Sequence, residues 1–219
     1  MRVLAIDSAI GRCAVAALVD GTAVQEHQDA TRGQPGVLAE MARRILAAIG
    51  IPVAGFDAVA VTIGPGSFTG IRGALALAHG LGLAGGIPVI GVTVGEALRE
   101  ALPLLGQRML WTAVPSRTGR VFIEQDERVL SASLTDLPYP AGPIAVAGTA
   151  AHEVASRLAA RGANVMLTDA RFPSGSHIAE AAIRRLRGSM PPRRAEPLYV
   201  DAPEARLPSH PVPTLPAAE

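Results

Sequence analysis

Residues 57–84 read DAVAVTIGPGSFTGIRGALALAHGLGLA, and this stretch indicates the class of fold. An apolar run over 57–63 is typical of a buried strand. The glycine-rich turn Gly64-Pro65-Gly66-Ser67-Phe68-Thr69-Gly70 follows it, and an uncharged helical segment runs from there to Ala84 apart from Arg72. A buried strand that turns through glycines directly into a helix predicts an α/β protein.

The elements on either side of this stretch predict two similar halves. In the first half we expect strands at 2–7, 13–19 and 22–28, a helix at 36–49, the strand and helix above, and a strand at 89–92. The dipeptide Asp20-Gly21 is a hairpin signal between the second and third strands. In the second half we expect strands at 110–115, 120–125, 129–134, 144–147 and 165–168, with helices at 150–160 and 178–186.

A faint internal repeat supports this division. The heptapeptide 6–12, IDSAIGR, aligns with 114–120, VPSRTGR, and each places a Ser and then a Gly-Arg pair after a strand. Together with the repeated order of elements, this match suggests two lobes of one ancestral unit. We expect lobes at 1–105 and 106–200, followed by a proline-rich tail at 201–219 that is flexible.

Composition excludes several classes of protein. The 219 residues are 49% hydrophobic and 18% charged, with a formal net charge of +1 and only 3% aromatic residues. These values do not suggest disorder or a strongly basic nucleic-acid clamp. The single Cys excludes a disulfide framework, and the absence of Lys excludes a Walker A site. The five His lack helical metal-ligand spacing, so we expect no metal site.

No targeting or membrane segment is expected, and a cytoplasmic location is the default. Residues 73–95 carry no charge over roughly the length of a membrane span. Gly85-Gly86 and Pro88 break that stretch into a helix and a short strand.

Two loops are candidates for holding a phosphate or nucleotide. Asp7 and Ser8 end the first strand, where a carboxylate can hold a metal-bound water near a phosphate. Gly64, Gly66 and Ser67 precede a helix N-terminus, which attracts anions. Both features also have structural interpretations, because an Asp can bond turn N–H groups and a tight turn needs the same glycines. Ser67 or Thr69 is expected to cap the helix.

Two further features leave alternatives open. The helix after the turn is unusually rich in Gly and Ala, and such a face allows close packing, either inside the chain or against another chain. The arginines at 184, 185, 187, 193 and 194 form a basic cluster. This cluster is either a contact for RNA phosphates or a solvated helix end.

Three segments resemble the TsaB (YeaZ) family: LAIDSA at 4–9, GPGSFTGIR at 64–72 and PVIGV at 88–92. The resemblance is strong over residues 1–125 and weak from there to Glu196-Pro197-Leu198-Tyr199, which looks like the family's ending segment. It implies a duplicated α/β fold of the actin-like (ASKHA, RNase H-like) type, with a mixed sheet flanked by helices in each lobe.

The resemblance also implies a function. Family members are non-catalytic subunits that pair with TsaD, a catalytic paralogue, for threonylcarbamoylation of adenosine 37 in tRNA; the ATPase TsaE and tRNA join through that complex. Members self-associate when alone, no cofactor is intrinsic, and ATP or ADP is expected at the partner interface if it binds at all. The alternative is a stand-alone actin-like ATPase or small-molecule kinase.

In the family the partner contacts the first two helices, here Val37–Ile49 and Thr69–Ala84. The expected partner-binding residues are Val37, Leu38, Met41, Ile45, Arg72, Gly73, Leu75, Ala76, His79 and Gly80.

Three positions depart from the family pattern. Gln34-Pro35 stands where a His-Ser pair is common, and Tyr199-Val200-Asp201 replaces Tyr-Leu-Arg. Pro115 stands where the second lobe usually has the Asp of Ile-Asp-Ala-Arg. An actin-like ATPase needs acidic residues in both phosphate loops, so this proline argues against independent ATP hydrolysis.

Overall fold

The computed structural model describes residues 1–29, 35–126 and 128–200. The strands form two five-stranded sheets. The first has the order β3-β2-β1-β4-β5. Its strands are β1 (Arg2–Asp7), β2 (Arg12–Val19), β3 (Thr22–Asp29), β4 (Ala58–Gly64) and β5 (Val89–Thr93). The first three strands form an antiparallel meander, and β4 runs parallel to β1 and β5.

The second sheet repeats this topology, with the order β8-β7-β6-β9-β10. Its strands are β6 (Met109–Pro115), β7 (Arg120–Gln125), β8 (Arg128–Ser133), β9 (Ile144–Ala147) and β10 (Val165–Leu167). The antiparallel and parallel pairings match those of the first sheet. Gly11 and Gly119, aligned in the sequence repeat, share a left-handed φ of 73°. The predicted duplicated α/β fold, with one mixed sheet in each half, is therefore confirmed.

Five α-helices cover the sheets: α1 (Pro35–Ile49), α2 (Phe68–Gly85), α3 (Val94–Glu100), α4 (Ala151–Ala160) and α5 (Gly175–Leu186). Four of them agree with the sequence prediction to within a few residues. Helix α3 was not predicted, although Thr93 and Glu96 form a capping box at its start. No helix in the described part of the chain is long and apolar enough to cross a membrane.

The core follows from the strand sequences. Every residue of β4 is buried, as are nearly all of β1 and β2, because helices cover both faces of the central strands. One of these helices comes from the other half of the sequence. Ile178 and Ala179 of α5 pack with Val3 of β1, and α5 crosses so close to β2 that a Cβ at Gly175 would lie 2.4 Å from that of Ala16.

The C-terminal segment also returns to the first sheet. The N–H of Gly91 donates to the carbonyl of Arg193 at 3.3 Å, and the N–H of Leu198 donates to that of Ile63 at 2.9 Å. The boundary after residue 105 thus separates the two sheets in sequence, while parts of 106–200 pack on the first sheet. The division into lobes 1–105 and 106–200 stays a prediction, and the tail at 201–219 lies outside the described residues.

Candidate partner surface and inter-lobe cleft

The glycine turn that enters α2 is packed against the loop that leaves β1. The N–H of Ser67 donates to the carbonyl of Ala9 at 2.7 Å. A Cβ at Gly66 would lie 2.1 Å from that same carbonyl oxygen, and one at Gly70 would lie 1.9 Å from the carbonyl oxygen of Ser8. Gly66 and Gly70 are therefore explained by the close approach of these two loops.

Ser67 caps α2 as predicted. Its Oγ accepts a hydrogen bond from the N–H of Gly70 at 3.2 Å, and its carbonyl accepts from the N–H of Ile71 at 2.9 Å. These amides, which would otherwise be available to an anion, already have partners within the chain.

Asp7 is fully buried, which favours the structural one of the two interpretations that the sequence left open. Its Oδ1 accepts from the N–H of Ala9 at 3.0 Å and from the hydroxyl of Thr62. Its Oδ2 is buried without a partner among the described residues. Burial raises the pKa of this carboxyl from 3.8 to about 6, against the opposing effect of the Thr62 and Ala9 hydrogen bonds. Asp7 thus takes the structural role of bonding a turn.

A cleft of about 370 Å³ opens between the lobes, where the two repeated loops face each other. One wall is the loop after β1 and the other is the loop after β6, so Pro115 occupies the position equivalent to Asp7. The lining residues are Ala9, Ile10, Gly11, Gly66, Ser67, Val114, Pro115, Ser116, Thr149 and Phe172. Gly66 and Ser67 line it, whereas Asp7, Ser8 and Gly64 do not. The residues that line this cleft carry no ionisable side chain.

Within the described ranges, no group of three or more His, Cys, Asp or Glu side chains is placed to hold a metal ion. Ser8 Oγ lies 3.4 Å from Cys13 Sγ, a contact inside the lobe.

Helices α1 and α2 each bury one side in the core. Leu38, Met41, Ile45 and Leu75 are nearly inaccessible to solvent. They pack in the same apolar cluster as the first sheet. These four were predicted to bind a partner, and that prediction is wrong because a side chain enclosed by its own core cannot also touch another chain.

The remaining predicted positions lie nearer the surface. Arg72, Ala76, His79 and Gly80 are exposed, and Val37 and Gly73 are half-buried. His79 also makes a hydrogen bond within the chain, from Nε2 to the carbonyl of Ala195 at 2.9 Å. The helical spacing of apolar residues therefore did not separate the buried residues of each helix from the exposed ones.

Sequence reasoning missed three exposed apolar residues beside this face. Leu83, near the end of α2, is 87% exposed. Phe68 at the start of α2 and Tyr199 near the C-terminus are 58% and 59% exposed. Their exposure could not be predicted from the sequence, because it depends on what packs over α2 and over the C-terminal segment.

The arginine cluster is divided between surface and interior: Arg184, Arg187 and Arg194 are exposed, Arg193 is half-buried and Arg185 is buried. Arg185 is buried and donates to Glu96 Oε1 at 2.6 Å and to the carbonyl of Gly91 at 2.8 Å. Arg193 also bonds Glu96, at 3.2 Å, and Arg184 pairs with Glu100 at 2.6 Å. These three side chains hold the C-terminal part of the chain and α3 together. Neither an RNA contact nor a solvated helix end describes the buried Arg185.

A buried carboxyl joins the lobes on the other side of α3. Glu124, on β7 of the second sheet, accepts from the hydroxyl of Thr93 through Oε1. Its Oε2 accepts from the N–H of Gly95 at 2.8 Å. A Cβ at Gly95 would lie 2.4 Å from the carboxyl carbon, so only glycine leaves room for this contact.

Comparison with known proteins finds one matching family model and several relatives that are similar in sequence. The family model described as TsaD, tRNA N6-adenosine threonylcarbamoyltransferase, matches residues 28–122. The tRNA threonylcarbamoyladenosine biosynthesis protein TsaB of Escherichia coli is 34% identical over 129 residues, which are 58% of this chain and 56% of that protein. TsaB of Haemophilus influenzae is 32% identical over 126 residues, 57% of this chain and 53% of that protein. The matched region thus spans about half the length of these relatives.

Solved structures extend the likeness to most of the chain. YeaZ from Pseudomonas aeruginosa superimposes with a TM-score of 0.73 and 24% identity, covering 90% of this chain and 99% of that one. This likeness concerns the fold. In sequence, the chain is similar to TsaB proteins over about half of their length, and in fold it is similar to YeaZ over most of the chain.

Proposed function

We propose that this chain is a non-catalytic subunit that pairs with a TsaD-type paralogue for the threonylcarbamoylation of adenosine 37 in tRNA. The matched relatives are named for the biosynthesis of this modified nucleoside. This role would place the chain in the cytoplasm. A TsaE-type ATPase and the tRNA would join through the complex, and the chain alone would form a homodimer through the same surface.

The observation that carries the proposal is the outer stripe of α2, which we call the α2 stripe: Ala76, Gly80 and Leu83. A Cβ added at Gly80 would meet no atom within 4 Å, so nothing inside the chain requires glycine there. A helical glycine costs about 1 kcal/mol relative to alanine. Leu83 lies one turn further along, almost wholly exposed. A surface of small side chains beside an exposed leucine is suited to close packing against a helix of another chain.

An enzymatic role of its own has less support. Asp7 is enclosed and bonded within its lobe, and Pro115 stands at the equivalent position of the second lobe. A nucleotide, where present, would be bound together with the partner. We therefore expect ATP hydrolysis by the chain alone to be absent, and Asp7→Asn to leave the activity of the assembled complex unchanged.

Light scattering after size exclusion tests the pairing, with this chain alone and mixed with the TsaD-type paralogue from the same organism. We expect a one-to-one complex that replaces the homodimer. Ala76→Arg should abolish it, because a long charged side chain cannot fit between closely packed helices. Ala159→Arg is the matched control, since Ala159 is an exposed alanine on α4 of the second lobe. No complex from the unaltered chain, or equal loss from both variants, would contradict the proposal.

A further inference from the structure

Three side chains that are far apart in the sequence meet at the start of α2. The guanidinium carbon of Arg72 lies 3.8 Å from the centroid of the Phe68 ring and 6.0 Å from that of Tyr199. Arg72 Nη2 donates to the Tyr199 hydroxyl at 2.9 Å. The two rings have their centroids 6.5 Å apart at an angle of 44°. Both rings are more than half exposed, so the group presents aromatic and guanidinium faces to solvent.

The group borders a cavity of about 170 Å³ with an apolar lining. The remaining lining residues are Gly66, Ile71, Phe122, Pro197, Leu198 and Val200. Arg72 supplies the one charged side chain in this lining, and the Tyr199 hydroxyl lies beside it. Three of the seven aromatic residues of the chain are gathered here, although their overall scarcity predicted few stacking surfaces.

Arg72 is held in place by contacts that do not neutralise its charge. In the part of the chain that the structure describes, its partners are the two rings and the phenol rather than a carboxylate. A guanidinium fixed by a ring and a hydroxyl keeps other N–H donors and its cationic face for a ligand. Flat heterocycles with carbonyl and ring-nitrogen acceptors match this combination of apolar slot, stacking faces and donors.

We propose that Phe68, Arg72 and Tyr199, together called the stacking site, bind an unpaired base of an RNA loop. Aromatic rings and arginine planes are the surfaces on which proteins stack bases that are splayed out of single-stranded RNA. The cavity has room for a single base rather than for a length of chain. The identification of the RNA as tRNA rests on the proposed function, while the stacking chemistry rests on the geometry.

An RNA base fits the site better than a free nucleotide does. Three amides at the start of α2, those of Ser67, Gly70 and Ile71, are already bonded, by Ala9 and by Ser67, which leaves fewer donors for a polyphosphate. One arginine is the only cation in the lining, so the site offers stacking and edge contacts instead of charge neutralisation. A net charge of +1 also implies that other contacts, made by the partner, must hold the RNA backbone.

Photocrosslinking tests the proposal directly. The probe is an RNA hairpin whose unpaired loop carries thiouridine, added to the full chain alone and to its complex with the TsaD-type paralogue. We expect crosslinks that map to Phe68 or Tyr199, and none with a fully paired RNA duplex that carries the same thiouridine. Crosslinks confined to other segments would overturn the proposal. An excess of AMP that removes the crosslink would show that the site takes free nucleotides instead, which also overturns it.

Affinity measurements with four variants separate stacking from charge. Fluorescence anisotropy of the labelled hairpin should show binding by the complex weakened about 5- to 150-fold by Phe68→Ala, as for loss of one stacked base. Arg72→Lys, which keeps the charge and loses the plane, should weaken it similarly, whereas Tyr199→Phe, which keeps the ring, should have a smaller effect. Arg194→Ala is the control, because Arg194 is 88% exposed in its side chain and lies outside the lining.

The same variants distinguish this proposal from the pairing function. If Phe68→Ala and Arg72→Lys prevent pairing with the paralogue while RNA binding by residual complex is unchanged, the surface is a protein-docking site and the stacking proposal is wrong. If pairing is intact and RNA binding falls, both stand. If the unaltered chain does not pair at all, the proposed function fails independently, and crosslinking of the chain alone still decides the stacking site. Thermal unfolding of each variant confirms that it is folded.

Discussion

Replacing Glu124 by Gln should change how the stability of this protein depends on pH. Glu124 is buried between the lobes, where its carboxyl accepts from Thr93 and from the N–H of Gly95. Burial raises the pKa of Glu124 from 4.5 to about 7; the two hydrogen bonds and Arg193 oppose this rise, and the nearby Glu96 carboxylate adds to it. Gln has the shape of the protonated acid and can keep the bond to Gly95, because the Thr93 hydroxyl can reverse its role and accept.

The expected magnitude follows from the shift in pKa. A rise from 4.5 to about 7 in the folded state corresponds to about 3 kcal/mol, at 1.36 kcal/mol for each unit. Between these values the folded state binds the proton more tightly than the unfolded state, so unfolding releases it and the free energy of unfolding falls as the pH rises. The stabilisation from the neutral acid is complete below about pH 4.5 and is lost above about pH 7.

Urea unfolding of both proteins between about pH 5 and about pH 8 measures this effect. Glu124→Gln should gain up to about 3 kcal/mol relative to the unaltered protein across that range. The pKa of Asp7 is also raised, but its effect is present in both proteins and cancels in the difference. Asp126→Asn, at an exposed neighbouring carboxylate, is the control and should leave the curve unchanged. Parallel curves for Glu124→Gln and the unaltered protein would refute the account of a neutral buried acid.

Three further substitutions test other contacts. Gly80→Ala should raise the free energy of unfolding of the chain alone by about 1 kcal/mol in urea titrations. The same change should weaken pairing in the light-scattering assay, and tighter pairing would contradict a close helix contact there. Arg185→Met should lower stability by about 3–5 kcal/mol in thermal or urea unfolding, because Glu96 loses its buried partner; a loss below about 1 kcal/mol would show that Arg193 replaces it. In the unaltered protein, the raised pKa of Asp7 should lower the free energy of unfolding by about 3 kcal/mol between about pH 4 and about pH 6. Asp7→Asn should remove this fall, and an unchanged pH profile would contradict the raised pKa.

Much of the architecture could be predicted because its signals are local. The alternation of apolar runs with Asp20-Gly21 and the glycine turn at 64–70 predicted all ten strands to within about one residue at each end and four of the five helices to within about three. Helix α3 escaped because it is only seven residues long and follows β5 without a break. Its capping box was the one local sign of it.

The candidate site was predicted less well, for a physical reason. A helical repeat of apolar residues shows that one face is covered, but it does not say whether the cover is the chain's own core or a second protein. Leu38, Met41 and Ile45 proved to face the core, whereas Ala76 and Gly80 face outward. Burial depends on what packs above a helix, and that depends on residues elsewhere in the chain.

The sequence by itself determined the duplicated α/β pattern and the capped turn into α2, because each depends on residues that are neighbours in the chain. Only the tertiary structure decided the environment of the polar groups. It enclosed Asp7, placed Glu124 against Thr93 across the lobes, and brought Tyr199 to Arg72, 127 residues away. Desolvation, pairing and stacking act through space over a few ångströms, so such contacts exist only once distant segments have packed together.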